Sequence, residues 1–87
     1  MSRPPIEPGR VVLSTAGRDA GRRFVVIACE GDYAFIADGA LRQLSKPKRK
    51  KLRHLKPTAL RCEAFVQTLE TGAQAQDAML RRYLKDN

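Results

Sequence analysis

The chain has 87 residues, of which 43% are hydrophobic and 30% are charged, and this composition is typical of one small globular domain with a modest core. Its apolar runs are all shorter than the roughly 18 to 20 residues that cross a bilayer, and its first residues lack the apolar stretch of a signal peptide, so we expect a cytoplasmic protein and no membrane association. The formal net charge of +8 favours anionic partners.

The first half of the chain predicts short strands joined by tight turns. Residues 1–8, MSRPPIEP, are proline-rich and predict an irregular lead-in. The segments RVVLS (10–14) and RRFVVIACE (22–30) are rich in β-branched residues and predict two strands. In the second segment the even-numbered and the odd-numbered residues of 24–29 are all apolar, so both faces of the strand are apolar. This pattern predicts burial on both faces or strong curvature in a closed sheet.

Turn signals predict two further strands. The sequence EGD (30–32) predicts a hairpin turn into the strand YAFIA (33–37). The dipeptide DG (38–39) predicts a second hairpin turn, which leads into a strand at LRQL (41–44).

A basic segment follows these strands. The sequence KPKRKKLRHLKP (46–57) holds seven cations and no acid among its first eleven residues. Residues 46–51 predict a basic loop, and residues 52–55 predict a last short strand or 3₁₀ turn that its two leucines anchor. Five short strands with tight turns close most economically into a small SH3-like barrel, because closure removes exposed edges.

The pattern becomes helical after Pro57. Residues 64–71 predict a short helix with Gly72 as its C-terminal cap. Residues 75–85 predict a second helix that directs Ala78, Met79, Tyr83 and Leu84 toward a core. The expected fold is therefore mainly β, a five-stranded SH3-like barrel with a short α-helical C-terminal appendage: a lead-in over 1–8, the barrel over 9–58 and two short helices over 59–87.

The loop AGRDAGRR (16–23) is the first candidate binding element. A Walker A loop has a different glycine spacing, then Lys with Ser or Thr, and opens a helix, so this sequence does not fit a nucleotide triphosphate site. Gly17 and Gly21 are instead expected to supply the positive φ angles of a turn between two strands. This interpretation leaves three arginines without a structural role: Arg18, Arg22 and Arg23.

Residues 9–27, GRVVLSTAGRDAGRRFVVI, resemble the KOW motif, a strand-loop-strand unit of ribosomal proteins and transcription elongation factors. The likeness extends through residues 33–58, which are similar to the KOW-containing large-subunit ribosomal proteins of the fourteen-e family in archaea and eukaryotes and to their small bacterial relatives. The resemblance implies a KOW-type SH3-like barrel that binds RNA, chiefly ribosomal RNA. Residues 59–87 lie outside it.

Positive charge is concentrated in the part of the chain that carries the resemblance. Residues 1–57 hold thirteen basic and five acidic side chains, and residues 58–87 hold four of each. Cations at this density neutralise phosphates, and we favour nucleic-acid binding over the alternative of a solvated charge run. The predicted RNA-binding set joins the glycine-loop arginines to the basic segment: Arg18, Arg22, Arg23, Lys46, Lys48, Arg49, Lys50, Lys51, Arg53 and His54.

Other chemistry has weaker signals. Tyr33 and Phe35 fall on one face of a predicted strand, either as a platform for stacked bases or as ordinary packing. The acids fall mostly in predicted turns, and no catalytic or metal-ligand pattern is recognisable, so we expect a non-enzymatic protein without a cofactor or metal. Cys29 and Cys62 predict core or partly buried thiols and no disulfide.

Two hypotheses follow. The first is a monomeric, non-enzymatic protein that binds ribosomal or structured RNA through one cationic face of the barrel, in translation or ribosome assembly. The alternative is an adaptor that docks a transcription or ribosome-associated protein through the barrel and the C-terminal helices. Salt separates them, because only RNA binding should weaken steeply as salt rises. Alanine at residues 48–51 is expected to weaken RNA binding with little change in thermal stability.

Overall fold

The computed structural model describes residues 3–87, and it contains five strands followed by two helices, as expected. Residues 3–7 form no regular element, and residues 1 and 2 of the predicted lead-in lie outside the described residues. The elements are β1 (Arg10–Ser14), β2 (Arg23–Glu30), β3 (Tyr33–Ala37), β4 (Lys48–Lys51), a 3₁₀ turn (Leu52–His54), β5 (Leu55–Arg61), α1 (Glu63–Thr71) and α2 (Asp77–Asp86).

The strands form one antiparallel sheet in the order β4-β3-β2-β1-β5. The two outer strands, β4 and β5, are separated in the chain only by the three-residue 3₁₀ turn. The sheet therefore curls enough for this short turn to connect its two outer strands. The expected mainly β fold with a helical appendage is confirmed, although no ladder between β4 and β5 closes the sheet within the described range.

Both faces of the sheet bury apolar side chains. On the inner face, Phe24, Val26 and Ile36 pack with Leu55 of the outer strand β5. Leu55 and Ile36 come from strands that are three positions apart in the sheet, so this shared core requires strong curvature. On the opposite face, which we call the helix face, α1 and α2 cover a second core made of Val11, Val25, Ala37, Cys62, Phe65 and Leu80.

The predicted burial of β2 on both faces holds for only half of the strand. Phe24, Val25 and Val26 are fully buried, whereas residues 28–30 are exposed. The helices do not reach this end of β2, and a register shift between Val26 and Ala28 bends the strand. Cys29 lies in the exposed end and Cys62 is buried, and both are free thiols, so the expectation of burial is wrong for Cys29.

The fourth strand lies in the basic segment, so the predicted strand at residues 41–44 is wrong. The Asp38 carboxylate accepts hydrogen bonds from the backbone N–H groups of Ala40 and Arg42, and this turn folds the chain into a compact loop where a hairpin was expected. Residues 48–51, predicted as a loop, pair with β3 instead. Charged side chains are common on outer strands, where they oppose pairing with other sheets.

The helical part agrees with the sequence pattern in outline, although the predicted change to helix after Pro57 comes too early, because β5 continues to Arg61. Gly72 adopts a left-handed conformation with φ of 75° and ends α1 as predicted. In α2 the fully buried residue is Leu80, whereas Ala78 is exposed. Residues Met79, Tyr83 and Leu84 pack partly buried against the helix-face core, as expected. None of the described helices has the length and apolar character to cross a membrane.

Candidate nucleic-acid interface

The loop between β1 and β2 is a tight turn. Gly17 and Gly21 have φ angles of 83° and 87°, a region that glycine adopts without the steric cost of a Cβ atom. At the base of the loop the Ser14 N–H donates to the Arg22 carbonyl, and the Gly21 N–H donates to the Ser14 carbonyl. The backbone therefore closes around the residues between the two glycines.

Asp19 fixes this loop from the inside. Its carboxylate accepts hydrogen bonds from Ser14 Oγ at 2.7 Å, from Lys48 Nζ at 2.9 Å and from Lys50 Nζ. Lys50 Nζ also donates to the Ala16 carbonyl, and Lys50 is only 7% exposed. We call Ser14, Asp19, Lys48 and Lys50 the Asp19 clamp, and it ties the glycine loop to β4.

The Asp19 carboxyl group is ionised at neutral pH. Burial alone would raise the pKa of Asp19, but the hydrogen bonds from Lys48, Lys50 and Ser14 outweigh that effect and hold the pKa well below its usual range. The carboxylate therefore remains charged and offsets one of the two lysine charges. Two of the predicted RNA-binding cations thus serve the fold, although the Lys48 side chain is still 28% exposed.

Strand β4 divides the basic run between two faces, because side chains alternate along a strand. Lys48 and Lys50 point inward to Asp19. Arg49 and Lys51 lie on the other face and are exposed. The Arg49 guanidinium carbon lies 3.8 Å from the centroid of the Tyr33 ring, which is a cation–π contact.

A cationic cleft lies between the glycine loop and the loop that follows β3. Three exposed arginines line it, Arg18, Arg22 and Arg42, and we call them the loop cluster. Leu41 adds apolar surface and is 60% exposed, and the buried Phe24 ring lies behind the cleft. Arg42 is absent from the predicted RNA-binding set, and it lies in the segment 41–44 that was expected to form a strand.

A second group of cations lies at the sheet edge. Arg49, Lys51 and Arg53 are exposed there, and we call them the sheet cluster. Lys51 and Arg53 line a cleft together with Tyr33 and Asp32. Lys46 is exposed in the loop before β4, and His54 is partly buried in the 3₁₀ turn.

Arg23 is directed into the fold. Its guanidinium donates to the Leu84 carbonyl at 2.6 Å and to the Asn87 carbonyl at 3.0 Å, so it satisfies carbonyl groups at the C-terminal end of α2. The predicted single cationic face is thus divided. The structure brings Arg18 and Arg22 together with Lys48, places Arg49, Lys51 and Arg53 in the sheet cluster, and uses Arg23 and Lys50 internally.

The contacts within the Asp19 clamp hold charged side chains in place, and they do not form a recognised catalytic arrangement. Within residues 3–87, no group of three or more His, Cys, Asp or Glu side chains is arranged to hold a metal ion. What the exposed cations can do chemically is bind phosphate, since guanidinium groups donate paired hydrogen bonds to phosphate oxygens.

Two ribosomal proteins are among the known proteins that the chain resembles. The chain is 39% identical over 57 residues to large ribosomal subunit protein eL14 of Desulfurococcus amylolyticus, an alignment that covers 63% of this chain and 58% of that protein. It is 32% identical over 75 residues to large ribosomal subunit protein eL14 of Methanococcus vannielii, which covers 86% of each chain. No protein-family model matches the chain.

Proposed function

Because the chain belongs to the family of large ribosomal subunit protein eL14, we propose that it binds ribosomal RNA in the large subunit of the cytoplasmic ribosome. The family predicted from the KOW-like residues is confirmed, and membership of this family supports a role at the ribosome in translation. Ribosomal proteins are not enzymes, so the chain is non-enzymatic, as expected.

The loop cluster is the observation that carries the RNA-binding proposal. Arg18, Arg22 and Arg42 are exposed around one cleft. Asp19, the acid in that cleft, is already engaged by Lys48 and Lys50. The arginines therefore present uncompensated positive charge from a fixed loop, an arrangement suited to a phosphate backbone.

The double variant Arg18→Gln/Arg22→Gln tests this proposal. We expect it to bind fragments of large-subunit ribosomal RNA about tenfold more weakly at moderate salt, and to lower the slope of log affinity against log salt by about 0.7 to 0.9 for each phosphate that the variant no longer neutralises. Both side chains are exposed, so the thermal unfolding midpoint should change little. Fluorescence anisotropy with labelled RNA fragments over a range of KCl concentrations measures both quantities.

The matched control is Arg3→Gln/Arg82→Gln, which removes the same charge from exposed arginines outside both clusters. We expect the control to retain most of the affinity. An equal decrease in affinity for the two double variants would show that net charge alone drives binding, and the loop cluster would then have no specific role.

A second candidate function is protein docking through the C-terminal part. Ile27, Leu44, Phe65, Leu69 and Ala75 line an open apolar groove between the helices and the sheet. Leu69 is 53% exposed, and exposed apolar surface of this kind often marks a protein contact. This part of the chain is near neutral, which favours a ribosomal or transcription protein over RNA as the partner at this surface.

A further inference from the structure

Part of the helix face is left open by α1 and α2. The helices pack over Val25 and Ala37, but the sheet continues beyond these residues toward the turn between β2 and β3. Residues paired across antiparallel strands point to the same face. The register therefore places two open rows on this face: Ala28, Phe35 and Arg49 in one, and Glu30, Tyr33 and Lys51 in the other.

The two rows interleave aromatic and cationic side chains. Tyr33 and Phe35 are partly buried and two positions apart on β3, so they are about 7 Å apart along the strand. Arg49 lies over the Tyr33 ring and is exposed. Aromatic rings and guanidinium planes are the surfaces on which proteins stack unpaired RNA bases.

Charge on this patch is asymmetric. Glu30 lies beside Tyr33 on the β2 side, whereas Arg49 and Lys51 lie on the β4 side. Arg53 continues the positive charge past the end of β4 and lines a cleft of about 400 Å³ with Tyr33, Lys51 and the acidic Asp32, which lies in the turn between β2 and β3. Phosphates would be repelled from the β2 side and held on the β4 side, which leaves the bases over β3.

We propose that this patch stacks unpaired bases of RNA, with Tyr33, Phe35 and Arg49 as the platform and with Lys51 and Arg53 as phosphate contacts. The inference rests on the proposed RNA-binding function and narrows its ligand to an unpaired RNA segment. In this arrangement Tyr33 orients the Arg49 guanidinium, so the two residues act as one unit.

The experiment compares two probes of equal charge: an unpaired RNA of about ten nucleotides, and the same RNA with two central bases replaced by abasic sites. A stacked base contributes enough affinity for the wild-type protein to bind the intact probe about tenfold more tightly than the abasic probe. Phosphate contacts alone give no such preference, because the two probes carry the same backbone charge.

Two variants locate the effect. Arg49→Lys retains the charge and removes the planar group, and Tyr33→Leu removes the ring beneath it. Each is expected to reduce the preference for the intact probe to about twofold or less. The control is Arg53→Lys, the same chemical change at an exposed arginine outside the Arg49–Tyr33 contact, and it should keep the preference. Thermal unfolding of each variant checks the fold, and Arg49→Lys carries the test if Tyr33→Leu does not fold.

The outcomes separate the two proposals. Salt-sensitive binding with equal affinity for the two probes would overturn base stacking and leave the RNA-binding function in place. A full preference retained by Arg49→Lys would also overturn the platform. No salt-sensitive binding to either probe, or to ribosomal RNA fragments, would overturn both the platform and the proposed function.

Discussion

Single cations in the basic run have different roles, although they look alike in the sequence. Lys48 and Lys50 donate to the Asp19 carboxylate, whereas Arg49 and Lys51 are exposed on the opposite face. Alanine at all four positions would therefore disturb the fold and the surface together. The expected small effect on stability applies to Arg49 and Lys51, and it is wrong for Lys50, whose buried ammonium group the clamp requires.

The variant Asp19→Asn tests the clamp. It leaves Lys50 buried without its carboxylate, so we expect the free energy of unfolding to fall by about 3 kcal/mol. The control Asp32→Asn changes an exposed turn residue and should alter it by less than about 0.5 kcal/mol. Urea unfolding at neutral pH measures both, and equal effects of the two changes would contradict the clamp.

The free energies of unfolding of the wild type and of Asp19→Asn should depend differently on pH. The pKa of Asp19 is lower in the folded state than in the unfolded chain, so the clamp stabilises the protein fully above about pH 5 and progressively less as the pH falls toward the folded pKa. The stability difference between wild type and Asp19→Asn should therefore shrink between about pH 5 and pH 2. A difference that stays constant over that range would attribute the destabilisation to packing.

At the scale of elements, α2 depends on polar contacts with the loops around it. A ten-residue helix is marginal alone. Arg81 Nη1 donates to the Gly39 carbonyl at 2.6 Å, and the Leu44 N–H donates to Asp77 Oδ1 at 2.7 Å. With Arg23 at the other end, both ends of the helix are fixed to the rest of the fold.

The variant Arg23→Gln should loosen the last turn of α2. It removes two charge-assisted hydrogen bonds, and we expect the free energy of unfolding to fall by about 1 to 2 kcal/mol. Hydrogen exchange of residues 77–86 should rise in this variant. The neighbouring exposed residue provides the control, because Arg22→Gln should leave that exchange unchanged, and equal exchange in both would remove the capping role.

The sequence predicts the strands whose signal is local. β-branched residues define β1, and the EGD turn together with YAFIA defines β3. β4 is not predictable in this way, because Lys and Arg have low strand propensity and the pairing with β3 is a tertiary contact. The loop at 38–42 is also not predictable from the sequence, because Asp38 Oδ1 accepts two backbone hydrogen bonds and so stabilises a compact loop where a hairpin was expected.

At the scale of the whole molecule, the cationic clusters and the apolar groove lie in different parts of the chain. The loop and sheet clusters come from the first two-thirds of the chain, and the apolar groove is lined largely by its neutral C-terminal part. From the sequence, Arg18 and Arg22 can be proposed for a binding site because the glycine turn does not require their side chains. The internal role of Lys50 cannot be assigned, because it depends on a residue thirty-one positions away.

This separation predicts different effects of the two exposed leucines, Leu69 in the groove and Leu41 in the cationic cleft. We expect Leu69→Ser to reduce cosedimentation with large ribosomal subunits by severalfold, with unchanged affinity for purified RNA, because the groove is proposed to contact protein. Leu41→Ser should not show that pattern. Unchanged cosedimentation of Leu69→Ser would remove the groove from the proposed function.

The Asp19 clamp has a consequence for how RNA would be selected. Lys48 and Lys50 belong to the strand that also carries Arg49 and Lys51, while Asp19 lies between Arg18 and Arg22 in the chain. The loop cluster and part of the sheet cluster are therefore joined through one buried carboxylate and keep a fixed separation. Because folding already fixes this separation, RNA binding does not have to order these parts of the protein. The protein would favour an RNA in which the distance between the phosphates and the unpaired bases already matches the separation of the two clusters.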